Sequence, residues 1–422
     1  VRLSSDFRRY PHNSGTNQML FSKLIGTIIS HKLVWGFPGK SDVLILDNSS
    51  KDVMLKIFSS WSISFINTRD IGNDRKEINV VVVFRSVLKV LFDMNLFDLK
   101  SYYGAYFDSY INMAQPKLLV TYIDNNRHFY SISARNESVK TMFIQNSTRY
   151  YYGALEYLAE NENIRSQLKV DYMCTLGVDV GDEYYGKYIQ GKIIPIGSLK
   201  NNMIPNDAVI KKHGTIAFSS QYRQDSGKGI FTDKWYSYDD YFNKPTRFIV
   251  RYLIEYAKKN GKEFFVIPCS KDNDGMEQEF KYYKKLVGEE CSFSRYTYEG
   301  FDGSYYDVDS AEVLVTLDCT MGYECIARGG KNAFFPIRSY MIGQDKPYNM
   351  DFGWPREYPN EGPFWSNIPN TIVFDRILDH LFLIDDFEWK EELKSYNTDN
   401  IITYDPGNSV LQSVLEIELG KS

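Results

Sequence analysis

The chain has 422 residues with a net charge of −5, and 43% of them are hydrophobic, so it is a globular protein too long for a single hydrophobic core. The slight acidic excess gives no electrostatic basis for a nucleic-acid partner, and no apolar run approaches the about 18 residues that span a bilayer. Residues 1–18 lack the pattern of a signal peptide, and the five cysteines lack CxxC spacing. These features predict a chain with reduced thiols that works in the cytoplasm.

The first half of the chain alternates strand and helix patterns from Met19 onward. Strands are predicted at 41–47, 64–66, 117–123, 140–146, 170–176 and 192–198, and helices at 53–61, 77–97 and 130–135. Such alternation is typical of a doubly wound parallel sheet. Several of these strands end in polar residues, namely Asp47, Asp124, Gln145 and Ser198. Together they predict a polar cleft floor at one sheet edge, although any one of them suits an ordinary turn.

A polar linker at 199–212 separates this half from a second series of elements. Strands are predicted at 214–223 and 263–268, helices at 248–259, 276–286, 371–383 and 411–419, and loops at 224–243 and 351–367. The predicted organisation is an extension at 1–18, an N-terminal Rossmann-like domain at 19–205, a C-terminal Rossmann-like domain at 206–385 and a helical tail at 386–422.

The segment 311–338, AEVLVTLDCTMGYECIARGGKNAFFPIR, has the pattern of a complete β-α-β unit. A strand at 313–317 leads into a turn at 320–322, a helix at 322–328 closed by two glycines, and a strand at 332–337. Free N–H groups and the helix dipole at that turn favour phosphate, and Glu324 can accept hydrogen bonds from a ribose diol. The unit lacks GxGxxG, and Glu324 also suits the first turn of any helix, so both interpretations stay open.

This segment resembles the D-S-T-x-G-Y-E-x-x-x-R-G motif of bacterial GT-B glycosyltransferases that build surface polysaccharides, with Cys319 at the usual serine position. The same family is resembled by Y-I-D-N-N-x-x-F-Y at 122–130, I-Q-N-x-x-R-x-Y-Y-G at 144–153, I-x-I-G-S-x-K-N-N at 194–202, S-Q-Y-R at 220–223 and F-G-W-P…G-P-F-W-S-N at 352–367. Within that family the chain is most similar to retaining β-Kdo transferases, which use CMP-Kdo (Kdo is 3-deoxy-manno-oct-2-ulosonic acid).

The resemblance implies an α/β GT-B fold, in which two Rossmann-like doubly wound domains face a central cleft. It implies a nucleotide sugar, CMP-Kdo, in the C-terminal domain and a saccharide or lipid-linked glycan acceptor in the N-terminal domain, with no cofactor and no metal. It also implies a C-terminal helix that returns to the first domain, and peripheral contact with the inner membrane or with other polysaccharide-assembly enzymes.

Two sets of side chains are predicted to bind the substrates. The donor-binding set is Ser220, Gln221, Arg223, Ser270, Lys271, Thr320, Met321, Gly322, Glu324 and Arg338, and the acceptor-binding set is Asn125, Asn126, Gln145, Asn146 and Arg149. Arg223 suits bidentate pairing with a phosphate or a sugar carboxylate, and Lys271 and Arg338 are further cations of this kind.

Transfer with retention by double displacement needs a carboxylate nucleophile and a second group that handles the acceptor proton. Asp225 is the predicted nucleophile and Asp124 the predicted base, with Glu156 behind it. Asp225 lies in a Gln-Asp-Ser-Gly context that equally suits a turn, and Asp124 equally suits the N-terminus of a helix.

Other polar residues fit structural roles better than a metal site. Asp179, Asp182 and Glu183 are dispersed, the five histidines lack ligand spacing, and Asp307 and Asp309 are predicted to cap a following turn. Trp354, Phe364 and Trp365 are predicted as buried aromatics rather than stacking platforms. The alternative functions are a UDP- or GDP-sugar transferase, a UDP-sugar 2-epimerase, and a non-catalytic glycan-binding subunit of a polysaccharide assembly complex.

Overall fold

Two parallel β-sheets dominate the computed structural model. It describes residues 32–67, 77–92, 99–124, 126–148, 168–205, 209–223, 228–231, 234–270, 273–288, 292–294, 302–343 and 359–420.

The N-terminal domain is built on a six-stranded parallel sheet with the strand order β3-β2-β5-β6-β7-β8. The strands of this half are β1 (Lys32–Val34), β2 (Val43–Leu46), β3 (Ile63–Ile66), β4 (Glu77–Asn79), β5 (Leu118–Thr121), β6 (Lys140–Ile144), β7 (Lys169–Thr175) and β8 (Gln190–Pro195). Every residue of β2 and β5 is buried, because strands covered on both faces need apolar residues throughout rather than in alternation. The predicted doubly wound sheet is therefore present.

Helices and the small β1–β4 pair surround this sheet. They are α1 (Lys51–Ile57), α2 (Val80–Phe92), α3 (Leu99–Ala114), α4 (Arg127–Arg135), a helical stretch made of Val178–Val180, the π-helical turn Gly181–Tyr185 and Gly186–Tyr188, and the 3-10 turn Asn201–Met203. The predicted helix at 77–97 was wrong at its start, because Glu77, Ile78 and Asn79 pair with β1 in a parallel ladder. A pairing with residues 45 positions away in sequence overrides local helical periodicity.

The C-terminal domain is built on a five-stranded parallel sheet with the order β13-β12-β9-β14-β15. The strands of this half are β9 (Lys212–Ser219), β10 (Lys228–Phe231), β11 (Lys234–Ser237), β12 (Glu263–Ile267), β13 (Ser292–Phe293), β14 (Ala311–Thr316) and β15 (Lys331–Phe334). The predicted loop at 224–243 was wrong, since β10 and β11 form an antiparallel hairpin there. The predicted boundary between the domains falls at residues 206–208, outside the described residues.

The second half also contains nine helices within the described residues, and two short helical turns. They are the π-helical turn Asp239–Asn243, α5 (Lys244–Lys259), α6 (Asn273–Val287), α7 (Gly303–Ser310), α8 (Thr320–Ala327), α9 (Arg338–Met341), α10 (Thr371–Leu383), α11 (Asp386–Ser395), α12 (Thr398–Ile401), the 3-10 turn Pro406–Asn408 and α13 (Ser409–Leu419). In the β-α-β unit, the predicted turn at 320–322 is the first turn of α8, and β15 ends at Phe334 rather than 337. Gly329 has a φ of 82°, as predicted for a glycine that ends a helix.

The C-terminal tail returns to the N-terminal domain, as the resemblance implied. Leu411, Leu415 and Leu419 of α13 belong to the same buried cluster as β2 and α1. The tail comes close to the N-terminal sheet only because two glycines leave room for it. A Cβ on Gly177 would lie 2.2 Å from the Asn400 carbonyl oxygen, and one on Gly197 would lie 2.1 Å from that of Thr403. The tail also contacts the start of the linker, because the Asn408 side-chain amide donates to the Leu199 carbonyl at 3.1 Å.

Candidate active site at the domain cleft

Polar side chains collect at the carboxyl edge of the N-terminal sheet. Asp47 and Asp124 are 1% exposed, and Gln145 and Ser198 are buried as well. All four follow parallel strands, whose carboxyl ends share one edge of the sheet. The predicted gathering of polar strand ends at one edge of the sheet is confirmed, and its role as a cleft floor stays a prediction.

Asp124 is held firmly within this edge. Its carboxylate accepts a hydrogen bond of 2.6 Å from the Tyr185 hydroxyl and lies 3.4 Å from the Asn146 backbone nitrogen, which donates to it. A carboxylate in this position is fixed in direction, which a base requires. Its assignment as the base stays a prediction.

The predicted acceptor-binding residues fall into three groups. The Gln145 amide supports the edge itself, because it donates to the Ser147 carbonyl at 2.7 Å and accepts from the Leu176 N–H at 2.8 Å. Asn146 is half-buried beside Asp124, and Asn126 is buried at the start of α4. Asn125 and Arg149 lie outside the described residues, so the structure gives them no position.

Helix α8 presents one face to the N-terminal domain. Thr320, Glu324 and Arg328 lie four residues apart and so share that face. The Thr320 hydroxyl is 2.9 Å from that of Ser147 and accepts from the Thr148 N–H at 3.2 Å. Glu324 accepts from the Ser198 hydroxyl, and Arg328 donates to the Asn201 side chain. We call these contacts the α8 seam; they join the strand ends of both sheets.

Two buried phenols surround the carboxylate of Glu324. The Tyr305 hydroxyl donates to it at 3.0 Å. Burial raises the pKa of Tyr305, and the negative charge of Glu324 raises it further. The pKa of Tyr122 is raised by burial and then by the charges of Glu324 and Asp124. Both phenols therefore remain protonated, and Tyr122 experiences the charges of both carboxylates. Sequence analysis missed Tyr305, although Tyr122 stands in the Y-I-D-N-N motif.

The other predicted residues of α8 divide between packing and the cleft. A Cβ on Gly322 would lie 2.6 Å from Thr316 Oγ1 and 2.8 Å from the Phe334 ring, so this glycine allows α8 to pack on β14 and β15. Met321 is half-buried, and its sulfur lies 3.9 Å from the Ser219 hydroxyl. Close packing between helix and sheet thus explains why position 322 is a glycine. This explanation differs from the predicted one, in which the backbone of Gly322 approaches a donor.

A buried ion pair lies at the carboxyl edge of the C-terminal sheet. Arg338 Nε and Asp318 Oδ2 are 3.2 Å apart, and both side chains are at most 4% exposed. These two atoms attract each other by charge but are not aligned for a hydrogen bond, since neither Arg338 Nε nor Asp318 Oδ2 has a hydrogen-bond partner. Burial raises the pKa of Asp318, an effect that Arg338 opposes. Arg338 also donates to the Gln221 side chain. Asp318 stands in the D-S-T-x-G-Y-E motif but was not among the predicted site residues.

Arg223 lies beside this pair and shares an aromatic support with it. The Arg223 and Arg338 guanidinium carbons are 5.3 and 4.6 Å from the centre of the Phe242 ring. Two hydrogen bonds with the buried Asn243 fix the Arg223 backbone: the Arg223 N–H donates at 3.2 Å and the Asn243 amide donates back at 2.8 Å. Two guanidinium groups beside one carboxylate leave a positive balance, which suits an anionic ligand.

Ser220 and Ser270 are positioned by groups from α6. The Ser220 hydroxyl is 2.7 Å from that of Tyr283. The Glu279 carboxylate is fully buried and accepts from the backbone N–H groups of Cys269 and Ser270 at 3.1 and 3.0 Å. Glu279 therefore sets the path of the chain after β12. Lys271, which follows, lies outside the described residues, as do Asp225 and Glu156.

Several other residues have structural roles. The prediction that Asp307 and Asp309 cap a following turn was wrong, because both lie inside α7 and Asp309 pairs with Arg328. Trp365 and Phe364 are buried core aromatics, as predicted. Within the described residues, no three His, Cys, Asp or Glu side chains come together as metal ligands would. No helix among those same residues is long and apolar enough to cross a membrane.

Two facing Rossmann-like domains, with polar strand ends meeting at one cleft and a tail that returns to the first domain, define the GT-B fold. The wall teichoic acid polymerase TagF has a similar structure, with a TM-score of 0.51 at 9% identity over 90% of this chain and 89% of that one. A glycosyltransferase from Rickettsia africae gives 0.48 at 10% identity over 91% and 100%. The UDP-GlcNAc 2-epimerase of Methanocaldococcus jannaschii gives 0.47 at 8% over 89% and 99%. At such low sequence identity, structural similarity supports the fold and nothing further. The similarity to TagF is the one that supports the GT-B fold here.

The chain belongs to the family described as "putative O-antigen biosynthesis protein", whose model matches residues 142–419. The match spans the end of the N-terminal sheet, the whole C-terminal sheet and the returning tail. No curated protein matches the chain.

Proposed function

We propose that this chain is a GT-B glycosyltransferase that moves a sugar from a nucleotide donor onto a bacterial surface-polysaccharide or lipopolysaccharide acceptor. The proposal is carried by the meeting of two polar strand-end edges across one cleft, with the N-terminus of α8 between them. Open parallel sheets bind ligands at this edge, and a helix N-terminus favours phosphate. Membership of a family of O-antigen biosynthesis proteins supports a polysaccharide product.

The donor proposed is CMP-Kdo, transferred with retention, on the strength of the sequence resemblance. Kdo carries a carboxylate besides the donor phosphate, and the two guanidinium groups above Phe242 suit such a pair of anions. Arg223 would bind the sugar carboxylate or the phosphate, and Arg338 would add positive charge while holding Gln221. The charge that a metal would supply elsewhere comes here from side chains, so the proposed reaction is metal-independent.

The proposed chemistry assigns Asp225 as the nucleophile and Asp124 as the base, with Glu156 behind it. Glu324 would receive the ribose hydroxyls of the donor. Ser198 and Tyr305 both donate to Oε1 of Glu324, so Oε2 can still accept from a ribose hydroxyl. The acceptor would enter from the edge that contains Asn126, Gln145 and Asn146.

Thermal stabilisation by nucleotides tests the proposal. CMP at about 100 times its dissociation constant should stabilise the protein by about 2.7 kcal/mol, and UDP and GDP at equal concentration should raise the melting temperature less. The variant Glu324→Gln keeps the size of the side chain but removes its charge, so it should reduce the CMP shift. A larger shift with UDP or GDP than with CMP would reject CMP-Kdo as the donor but would still agree with a glycosyltransferase. No shift with any nucleotide contradicts nucleotide binding at α8.

A further inference from the structure

Helix α2 exposes an apolar face over about half of its circumference. At about 100° per residue, the exposed side chains cluster on one side of the helix: Val83, Phe84, Val87, Leu88, Leu91 and Phe92. Phe84 is 67% and Phe92 is 84% exposed. Val82, Ser86 and Val90 occupy the opposite side and are buried, and the Ser86 hydroxyl approaches the Ala105 carbonyl of α3 at 3.2 Å. A contiguous exposed face of this kind marks an interaction surface.

Two aromatic residues extend this face beyond the helix. Trp35 and Phe37 are 72% and 80% exposed. Their loop is tied to the start of α2, because Val34 pairs with Asn79 and the Asn79 amide donates to the Gly36 carbonyl at 2.8 Å. We call Trp35, Phe37 and the six apolar residues of α2 the docking face.

The charges of α2 favour an anionic partner. The helix contains two cations, Arg85 and Lys89, and no acidic residue. Lys89 lies 3.5 Å from the Asp108 carboxylate of α3, which balances part of its charge, so Arg85 contributes most of the positive charge at this face. Both cations are exposed and lie at the border between the apolar half and the buried stripe, since they follow Phe84 and Leu88 by one residue each. An apolar face with cations along its edge is the pattern of helices that lie in the surface of an anionic bilayer. A two-fold contact of this face with itself would instead bring like charges together.

The docking face lies beside the acceptor edge of the cleft. Asn67 directly follows β3, and its carbonyl accepts from the Glu77 N–H at 3.0 Å, which places β4 and the start of α2 at the carboxyl end of that strand. We propose that the docking face binds the surface of an anionic lipid bilayer. It thereby holds the cleft next to a lipid-linked acceptor. The link to the acceptor rests on the proposed function, whereas bilayer binding itself does not.

Vesicle co-sedimentation of the full chain tests the proposal. Phosphatidylcholine vesicles with and without phosphatidylglycerol are the two probes, and nucleotide and acceptor are omitted. The wild type should sediment with both and more strongly with the anionic vesicles. The double variant Phe84→Gln/Phe92→Gln should lower the partition coefficient by about tenfold or more. Arg85→Gln should remove mainly the gain from phosphatidylglycerol.

A matched control lies in the second half of the chain. Ile372 and Phe387 are 79% and 74% exposed on α10 and α11, so Ile372→Gln/Phe387→Gln removes similar apolar area away from the docking face and should leave sedimentation unchanged. Absence of wild-type binding to both vesicles, or equal losses in the two double variants, overturns the proposal. A wild-type dimer in light scattering that Phe84→Gln/Phe92→Gln dissociates, without vesicle binding, assigns the face to a second copy instead. The CMP-induced thermal shift, measured on the same variants, should be unchanged and reports on the proposed function separately.

Discussion

Arg338→Met should destabilise the protein by about 3–5 kcal/mol, the usual cost of removing one partner from a buried ion pair. Asp318 is 3% exposed, and without Arg338 this buried carboxylate loses its ion-pair partner, so that the charge of Arg223 offsets only part of the cost of its burial. Methionine fills much of the vacated volume, so the loss reflects charge more than packing. Urea denaturation at neutral pH measures it.

The loss should depend on pH in a defined direction. Burial raises the pKa of Asp318 above its ordinary value of 3.8, so the contribution of this group to stability is fully present below that value and is lost as the pH rises through the folded-state pKa. Removing Arg338 raises the folded-state pKa further, because Arg338 opposes the shift. The difference between Arg338→Met and the wild type should therefore be small in acid and grow toward neutral pH.

Two controls separate charge from packing. Arg376 is 59% exposed and lies 3.9 Å from Glu361, so Arg376→Met should cost less than about 1 kcal/mol, as for other surface ion pairs. Adding Asp318→Asn to Arg338→Met should recover part of the lost stability. A deficit that stays constant with pH would show that Asp318 is already neutral in the wild type.

Asp225→Ala should lower the rate of sugar transfer by about 10³-fold or more, as expected when a covalent nucleophile is removed. Asp225 follows Arg223 by two residues in the sequence, and the backbone of Arg223, a residue of the proposed donor site, is fixed by Asn243. Asp225 itself lies outside the described residues, so its place beside the donor is part of the proposal. Turnover of CMP-Kdo with a saccharide acceptor measures the effect.

The matched control for this variant is Asp274→Ala. Asp274 is an exposed aspartate in the first turn of α6, so its loss should leave the transfer rate within about twofold of the wild type and cost no more than about 1 kcal/mol of stability. The CMP-induced thermal shift of Asp225→Ala should match that of the wild type, which shows that the donor still binds. A normal transfer rate in Asp225→Ala would remove Asp225 from the mechanism.

Much of the fold was predictable because most strands in both sheets are short runs of apolar residues that end in polar ones. The limits of β14 and α8 followed from such patterns to within a few residues. Glu77 to Asn79 were mistaken for helix because only β1, which is distant in sequence, makes them a strand. Gly322 was taken for a turn glycine, whereas its close contacts with Thr316 and Phe334 come from packing between elements.

The sequence predicts where the candidate site lies better than it predicts which side chains contact each other there. The edge that collects Asp124, Gln145 and Ser198 was expected from strand ends alone. The partners of Glu324, however, come from Ser198 in one domain and Tyr305 in the other. The Asp318–Arg338 pair likewise joins the segment after β14 to the first residue of α9, and these become neighbours only when β14 and β15 pair. The periodicity of the sequence carries no information about contacts between side chains from elements that are distant in the chain.

The release of free CMP from CMP-Kdo, measured with and without a bacterial surface oligosaccharide, tests the transferase assignment most directly. We expect CMP to appear only when the acceptor is present. One CMP should be released for each Kdo added to the acceptor. CMP release at the same rate without acceptor, or no consumption of any nucleotide sugar under conditions in which it binds, would contradict the transferase assignment.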